Sequence, residues 1–305
     1  MRNRKPVDSQ EAEPKREEPG IWPGRAEKAG NIHMIEFKAD NFNLAQICRS
    51  GQCFRMNEAA ENRFSVIAGR HYLEMEQQGE RCVFYCEEVE FRDFWERYFD
   101  LKADYTSYLG KIAPGDSYLR SAAEFGAGIR ILRQDLWEMI VSFLISQQNH
   151  IQRIRRCIDT ICRAYGEKLE NSRGGEYYAF PTPQALADLP EDGLMACNLG
   201  YRSKYVVRTA RAVAEGEWDL EAVRLLPYPK AREELLKLFG VGGKVADCIC
   251  LFALHHLEAF PVDTHIRQAM EAHYEKGFPM KRYEGCQGVL QQYIFYYELA
   301  GAGQP

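Results

Sequence analysis

Two residues in one segment of the chain have side chains suited to covalent and electrostatic chemistry. They lie within residues 238–266, whose sequence is LFGVGGKVADCICLFALHHLEAFPVDTHI. Lys244 follows three closely spaced glycines, and Asp263 lies 19 residues further along the chain. A lysine amine is a nucleophile only when it is neutral, and the positive end of a helix dipole disfavours its protonated form. A carboxylate can stabilise positive charge that develops in a reaction. The pair therefore suggests an amine nucleophile with an acidic partner.

Each of these two residues also has a plain structural interpretation. A lysine after a glycine turn is commonly a solvated charge or a phosphate contact. An aspartate before a helix is commonly an N-cap that accepts a backbone hydrogen bond. Taken one at a time, Lys244 and Asp263 leave both interpretations open.

The three glycines, Gly240, Gly242 and Gly243, predict a tight turn between two helices. Glycine costs about 1 kcal/mol in a helix interior relative to alanine, but it suits a turn that needs a positive φ or a close backbone approach. Residues 231–238 and 244–254, on either side, are helix-compatible. Unpartnered amides at the start of the second helix form a ready anion site. The pattern predicts a helix-hairpin-helix that contacts phosphate.

The net charge is only weak evidence about the kind of binding partner. The chain carries a formal charge of −5 and has a pI near 5.9, which is mildly unfavourable for nucleic acid, but binding depends on where the charge lies. The basic residues form three clusters beside turn or glycine signals. We interpret these as candidate phosphate contacts, with solvated helix faces as the alternative: Arg153, Arg155 and Arg156; Arg202, Lys204, Arg208 and Arg211; Lys237 and Lys244.

Composition indicates a globular protein of two domains. The chain has 305 residues, of which 46% are hydrophobic and 27% charged, as is usual for such proteins. No apolar run reaches the roughly 18 residues of a membrane span, and the N-terminus lacks the apolar region of a secretory signal. The ten cysteines include no C-x-x-C pair. We expect buried thiols in a reducing compartment, namely the cytoplasm, with nucleoid association if the source is bacterial.

The predicted fold class is α+β, in three segments. Residues 1–31 are charged, contain almost nothing apolar and should be disordered. Residues 32–125 should form a small antiparallel α+β domain, with strands at 34–37, 63–67, 71–75 and 81–86, a short helix before Gly51 and an aromatic helix from Phe91. Residues 126–305 should be a mostly helical domain that contains the helix-hairpin-helix. In it, Asp135 caps one helix, SQQNH interrupts at 146–150, and Thr182-Pro183 starts another helix.

The motifs LFGVGGKVADC and PVDTH resemble the helix-hairpin-helix signature, with its lysine and aspartate, that DNA glycosylases share. Within that superfamily the chain is similar to the bifunctional 8-oxoguanine DNA glycosylase/AP lyases, over about residues 32–305. The resemblance implies that Lys244 is the amine nucleophile and that Asp263 supports the cationic transition state. It implies a duplex DNA partner that contains a damaged purine, no membrane partner and a monomeric enzyme.

The resemblance also assigns a base pocket and a DNA-binding surface. Cys248 and Phe295 would be the walls between which the expelled base stacks, Gln291 would read its Watson–Crick face, and the Gly51 carbonyl in SGQCFR would accept the N7 hydrogen that distinguishes 8-oxoguanine from guanine. Tyr201 and Arg202 would fill the gap left by the flipped base, and His265 would contact phosphate. The remaining DNA-binding residues are Gln148, Asn149, Arg153, Gly240 and Gly242.

Several positions depart from the family pattern. Phe239 stands where the hairpin commonly has proline, which should make the turn less rigid. Gln148 and His150 each replace an asparagine, so recognition of the opposite base is open. Only Cys286 follows Asp263, which argues against the iron–sulfur enzymes endonuclease III and adenine glycosylase, whose cluster needs four thiolates. We therefore expect no cofactor; a monovalent cation at the hairpin is implied by the resemblance alone.

Three functional hypotheses follow. The first is a bifunctional 8-oxoguanine glycosylase with a lysine Schiff base and associated AP lyase activity by β-elimination. The second is a monofunctional alkylpurine (3-methyladenine-type) glycosylase, in which Asp263 alone carries the chemistry and Lys244 only contacts DNA. The third is a DNA-binding helix-hairpin-helix protein without activity. The presence of Lys244 together with Asp263 favours the first hypothesis.

Overall fold

The computed structural model describes residues 33–301. The predicted disordered tail, residues 1–31, lies outside the described residues. A five-stranded sheet comes first and a helical body follows, so the predicted α+β class is confirmed. Within the described range, no helix combines the length and apolar character that crossing a membrane would require.

The sheet is antiparallel throughout, in the order β1-β5-β4-β3-β2. Alternating side chains produce one buried face, on which Val66 lies opposite Leu73 and Met75 lies opposite Phe84. The strands are β1 (Ile35–Lys38), β2 (Met56–Ala60), β3 (Arg63–Ala68), β4 (His71–Gln78) and β5 (Arg81–Tyr85).

Strand β2 is absent from the predictions. Of its residues only Met56 is buried, and its pairing with β3 shifts register between Glu58 and Ala60. An edge strand that buries so little lacks the apolar alternation by which a strand is predicted.

Two helical elements complete the sheet domain. Helix α1 (Leu44–Arg49) leads to the turn at Gly51 as predicted. The aromatic helix consists of α2 (Glu88–Glu90), a π-helical turn (Phe91–Trp95) and α3 (Glu96–Tyr98). It buries Phe91 and Trp95 against the sheet. The predicted aromatic stripe therefore belongs to the core.

The helical body begins soon after α3. Its helices are α4 (Tyr105–Gly110), α5 (Ser117–Phe125), α6 (Leu136–Ser146), α7 (Ile151–Tyr165), α8 (Pro183–Ala187), α9 (Ser203–Ala214), α10 (Leu220–Arg224), α11 (Tyr228–Leu235), α12 (Gly243–Phe252), α13 (Thr264–His273) and α14 (Gln287–Leu299). Asp135 caps α6 and Thr182 caps α8, as predicted. Helix α6 is buried over ten of its 11 residues, as expected for a helix that is apolar on all sides.

The structure contains two apolar cores, one beneath the sheet and one among the helices. Tyr105 of α4 and Leu119 of α5 belong to the helical core, although both precede the predicted division at residue 125. That division stays a prediction. A hairpin of two short strands, β6 (Lys168–Glu170) and β7 (Glu176–Tyr178), was not predicted.

Candidate active site

The helix-hairpin-helix is formed by α11 and α12, as the glycine pattern predicts. Gly240 has a φ of +90°, and a Cβ there would lie 2.6 Å from the nearest atom of the Tyr205 ring, so a larger residue would be both strained and obstructed. Gly242 is the extended N-cap of α12 and contributes no side-chain cap. The first amides of α12 are therefore open to an anion.

One pocket contains all six residues predicted for catalysis and base binding. They converge from the turn before β2, from α12, from the segment before α13 and from α14. The pocket is lined by Ser50, Gly51, Phe143, Lys244, Cys248, Phe252, Pro261, Asp263, Gln291, Gln292 and Phe295.

Lys244 lies in the first turn of α12, one turn before Cys248. Its side chain is half-buried, and Nζ is 5.5 Å from the centre of the Phe143 ring. Burial raises the pKa of the Cys248 thiol to about 11, although the positive charge of Lys244 opposes the rise. Cys248 is therefore a neutral thiol at ordinary pH, which suits its predicted place in the wall of the base pocket.

Asp263 has both of the roles that its position suggested. It is the N-cap of α13, where Oδ1 accepts a hydrogen bond of 2.9 Å from the backbone N–H of Ile266. Its carboxylate also lines the pocket with Lys244. Because the cap occupies Oδ1, the negative charge is held in a fixed orientation at the pocket.

Gln291 presents a hydrogen-bond acceptor to the pocket. Its side chain is 4% exposed, and Nε2 donates to the Pro261 carbonyl at 3.0 Å, which fixes the amide orientation. Among the described residues, Oε1 has no hydrogen-bond partner. A buried acceptor without a partner is costly, so a ligand that donates an N–H at this point would be favoured.

Gly51 leaves room beside Phe295. Its φ is +77°, and an added Cβ would lie 3.1 Å from Cε1 of the Phe295 ring. His265 packs edge-to-face on the same ring, at 5.9 Å between centroids. The predicted phosphate contact thus lies next to the predicted base pocket.

A buried polar network holds the Gly51 turn, and the sequence analysis missed it. Gln292 Nε2 donates to the Ser50 carbonyl at 2.6 Å, and Gln134 Nε2 donates to the Gln52 carbonyl at 2.8 Å. Gln52 also donates from Nε2 to the Arg130 carbonyl, at 2.9 Å. Gln52 lies within the SGQCFR motif, which could have drawn attention to it, but Gln134 and Gln292 carry no local signal.

Several of the residues predicted to bind DNA lie at or beside the turn that follows α6. Gln148 has a φ of +48°, and its Oε1 lies 3.5 Å from the hydroxyl of Tyr201, which is 47% exposed. The Asn149 amide donates to the Ile145 carbonyl, and Arg153 donates to the Asn198 carbonyl. Tyr201 and Gln148 are thus both exposed at this turn.

Arg202 is placed differently from Tyr201. Its side chain is 4% exposed, and its guanidinium donates to the Gln147 carbonyl at 2.8 Å through Nε and to the Gln148 carbonyl at 3.0 Å through Nη2. In this structure Arg202 holds the turn instead of lying at the surface.

Several residues of the basic clusters make hydrogen bonds or ion pairs with other residues of the protein. Arg155 donates to the Cys48 carbonyl and Arg211 to the Ala187 carbonyl. The ion pairs Arg208–Glu191 and Lys237–Glu234, at 2.6 and 2.7 Å, are exposed. The alternative interpretation, solvated or structural charges, therefore applies to part of each cluster.

A larger cleft lies between the sheet and the β6–β7 hairpin. Its polar side chains pair with one another, as in Arg173–Glu74 at 2.6 Å and His71–Glu90 at 2.9 Å. The residues predicted to be catalytic and the unpartnered Gln291 acceptor are in the smaller pocket, which is therefore the candidate active site.

Comparisons with known proteins agree with this geometry. The profile described as "8-oxoguanine DNA glycosylase, N-terminal domain" matches residues 34–140, and that described as "HhH-GPD superfamily base excision DNA repair protein" matches residues 141–278. The probable N-glycosylase/DNA lyase of Methanothermobacter thermautotrophicus is 31% identical over 265 residues, which cover 77% of this chain and 80% of that protein.

The chain belongs to the 8-oxoguanine DNA glycosylase family.

Other members of the family match to different extents. The N-glycosylase/DNA lyase of Saccharomyces cerevisiae is 36% identical over 48% of this chain, and the match spans only 42% of the yeast protein. A crystal structure of the Clostridium acetobutylicum 8-oxoguanine glycosylase/lyase, in complex with duplex DNA containing cytosine opposite 8-oxoguanine, has a TM-score of 0.83 and 36% identity. That match covers 92% of this chain and 99% of the other.

Proposed function

We propose that this chain is a bifunctional DNA glycosylase that removes 8-oxoguanine from duplex DNA and cleaves the strand at the resulting site. The observation that carries the proposal is that Lys244 and Asp263 share one pocket with Gly51, Gln291 and Phe295. The pocket thus combines a nucleophile, an anion and a surface for a flipped base, which a DNA-binding module without activity does not need.

Base recognition would use fixed polar atoms and flat apolar walls. The base stacks between Phe295 and the Cys248 side of α12, as extruded bases commonly stack on apolar and aromatic side chains. Gln291 Oε1 accepts an N–H from its Watson–Crick face. The Gly51 carbonyl accepts the N7 hydrogen that 8-oxoguanine has and guanine lacks, on a turn that Gln292 holds in place.

The reaction would begin with the neutral amine of Lys244, which attacks C1′ of the sugar. The N-glycosidic bond breaks, its electron pair leaves with the base, and the base takes up a proton. The Asp263 carboxylate stabilises the positive charge that forms on the sugar. The attacking nitrogen loses a proton, its lone pair forms the C=N bond as the C1′–O4′ bond breaks, and O4′ takes up a proton, so that the open sugar is a Schiff base with the lysine. Removal of a proton from C2′ then expels the 3′ phosphate, and hydrolysis frees the lysine.

Borohydride trapping tests this proposal. With a duplex that contains 8-oxoguanine opposite cytosine, the wild-type protein should form a covalent adduct, because borohydride reduces the Schiff base. Lys244→Gln should abolish the adduct and strand cleavage while it retains most of the affinity for the damaged duplex, since one charge contributes a modest share of a phosphate interface. Lys237→Gln is the matched control, because Lys237 is another hairpin lysine but is paired with Glu234.

If Lys244→Gln still excised the base under single-turnover conditions, the enzyme would be monofunctional and Asp263 would carry the chemistry alone. An alkylated purine duplex would then be the next substrate to assay.

Three further properties are part of the proposal. The ten cysteines are free and buried, which supports a reducing compartment and hence the cytoplasm. A monomer is sufficient because one chain supplies every residue of the pocket.

A monovalent cation at the hairpin would be held by backbone carbonyls and would stabilise the turn. The donor type suits a hard cation, although Leu238 O and Gly240 O already accept hydrogen bonds from Val241 N and Gln147 Nε2.

A further inference from the structure

The hairpin lacks the proline that would restrict its backbone. A proline ring holds φ near −65°, whereas Phe239 leaves this torsion free. Its ring is 44% exposed and packs edge-to-face on Tyr205 at 5.3 Å between centroids. The Tyr205 ring also lies against Gly240. Contacts from other elements must therefore supply the rigidity that the local sequence does not.

Gln147 supplies one such contact. It is the C-cap of α6, and its side-chain Nε2 donates a hydrogen bond of 3.0 Å to the Gly240 carbonyl at the tip of the hairpin. The same Nε2 lies 3.4 Å from the Leu144 carbonyl, which keeps the side chain close to its own helix. The hairpin is thereby tied to the end of α6.

The backbone of Gln147 is fixed from the opposite side. Its carbonyl accepts from Arg202 Nε at 2.8 Å, and Arg202 Nη1 donates to the Leu199 carbonyl at 3.3 Å. Arg202 is 4% exposed and precedes α9 directly. The next residue on each side, Gln148 and Tyr201, is exposed. One hydrogen-bonded chain therefore runs from the exposed turn to the hairpin.

We propose that Gln147 is a positioning residue that couples the hairpin to the turn formed by Gln148 and Tyr201. This inference rests on the proposed function. The hairpin would bind the phosphate backbone, and Tyr201 would occupy the space left by the extruded base. The two contacts must keep a fixed separation for binding at the hairpin to drive Tyr201 into the duplex. Gln147 sets that separation, because its side chain bonds to one of these elements and its backbone bonds to the other.

The experiment uses Gln147→Met in the full chain, which keeps the side-chain length but removes the amide donor. Single-turnover excision from an 8-oxoguanine:cytosine duplex should fall at least tenfold. Strand cleavage at a preformed abasic site in the same sequence should stay within twofold of wild type, because no base has to be extruded there. Binding to the undamaged duplex should also stay within twofold.

A second readout separates positioning from a loss of folding. Extrusion requires less unstacking energy when the base is mispaired, so the ratio of wild-type to variant excision rates should shrink toward one for 8-oxoguanine in a mismatch. Gln147→Glu keeps the shape but replaces the donor with a carboxylate that the Gly240 carbonyl repels, so excision should fall at least as far as in Gln147→Met. Gln184→Met, at an exposed glutamine of α8, is the matched control and should behave as wild type.

Two results would overturn the inference and leave the proposed function intact. One is a Gln147→Met or Gln147→Glu enzyme whose excision rate equals that of the wild type. The other is an equal loss of base excision and abasic-site cleavage, which would mean a structural role alone. A wild-type protein inactive on both the 8-oxoguanine and the abasic duplex would overturn the proposed function, and this inference with it.

Discussion

Asp263 combines a structural and an electrostatic role in one side chain. Oδ1 caps α13, while the carboxylate as a whole faces the pocket that contains Lys244. A cap requires only an acceptor, whereas stabilising a sugar cation requires a negative charge. The two roles can therefore be separated by a substitution that keeps the acceptor and removes the charge.

Asp263→Asn is that substitution. Asparagine caps helices about as well as aspartate, so we expect the free energy of unfolding to change by less than about 1 kcal/mol. Excision should fall on the order of 100-fold or more, the usual effect of removing one group that stabilises transition-state charge. Thermal unfolding and single-turnover excision measure the two effects.

The control for this variant is another helix cap. Asp219 caps α10 by accepting from the backbone N–H of Glu221 and of Ala222, and Asp219→Asn should leave excision unchanged. If Asp263→Asn excised 8-oxoguanine at the wild-type rate, Asp263 would be a cap alone.

At the scale of elements, the pocket depends on how closely α14 approaches α12. Gly288 on α14 makes that approach possible. A Cβ at this position would lie 2.4 Å from Leu251 Cδ1 of α12 and 2.7 Å from the Ala259 carbonyl. Its own amide donates to the Leu257 carbonyl at 2.7 Å. Gln291 and Phe295 follow on the same helix, so the geometry of the base pocket is set partly by a glycine outside it.

Gly288→Ala should therefore disturb both stability and activity. Overpacking of a filled core typically costs about 1–3 kcal/mol, and the displacement of α14 should slow excision. The urea midpoint and the excision rate are the measurements. Gly110→Ala is the control, because an added Cβ there meets nothing within 4 Å; its midpoint should stay the same or rise. A Gly288→Ala protein as stable as the wild type would show that the two helices have room to separate.

At the scale of the whole molecule, a buried ionic cluster joins the sheet domain to the helical body. Asp100, just after α3, contacts His255 Nε2 at 3.3 Å and an Arg133 guanidinium nitrogen at 2.9 Å. Tyr105 also donates to this carboxylate. Burial raises the pKa of Asp100, but the hydrogen bonds and charges of His255 and Arg133 outweigh it. The pKa of Asp100 therefore lies below its usual value.

Asp100→Asn should destabilise the protein in a pH-dependent way. Because the folded state lowers the pKa of this carboxyl, the ionised form stabilises folding at neutral pH. That stabilisation is lost as the pH falls through the ordinary aspartate pKa, near 4, and through the lower pKa of the folded state. We expect a loss of about 3 kcal/mol at neutral pH, shrinking in acid. Urea unfolding at several pH values measures it.

The matched control for this prediction is an exposed pair. Asp159 and Arg163, on the surface of α7, are both 62% exposed. Asp159→Asn should change stability by less than about 1 kcal/mol. If the deficit of Asp100→Asn were constant down to acid pH, the cause would be altered packing at the domain junction and not the loss of charge.

The sequence by itself determined those features whose physical cause is local. Runs of aromatic and β-branched residues between turn residues predicted four of the five sheet strands. Side chains that can accept from an amide three residues later predicted the caps of α6 and α8. The glycine pattern predicted the hairpin, because positive φ restricts the residue type. The residue types of Lys244 and Asp263 suggested an amine nucleophile with an acidic partner, and the resemblance of the motifs around them to those of DNA glycosylases implied the reaction that we propose.

Tertiary structure decided everything that depends on contacts between distant segments. It brought Gly51, Gln291 and Phe295 into one pocket with α12 and formed the glutamine network beneath the Gly51 turn. It buried Arg202 at the turn and placed Gln147 against the hairpin. A local pattern reports which face of an element is apolar, but not which element will cover it. Long-range hydrogen bonds form only where packing has already brought their partners together, so no spacing along the chain predicts them.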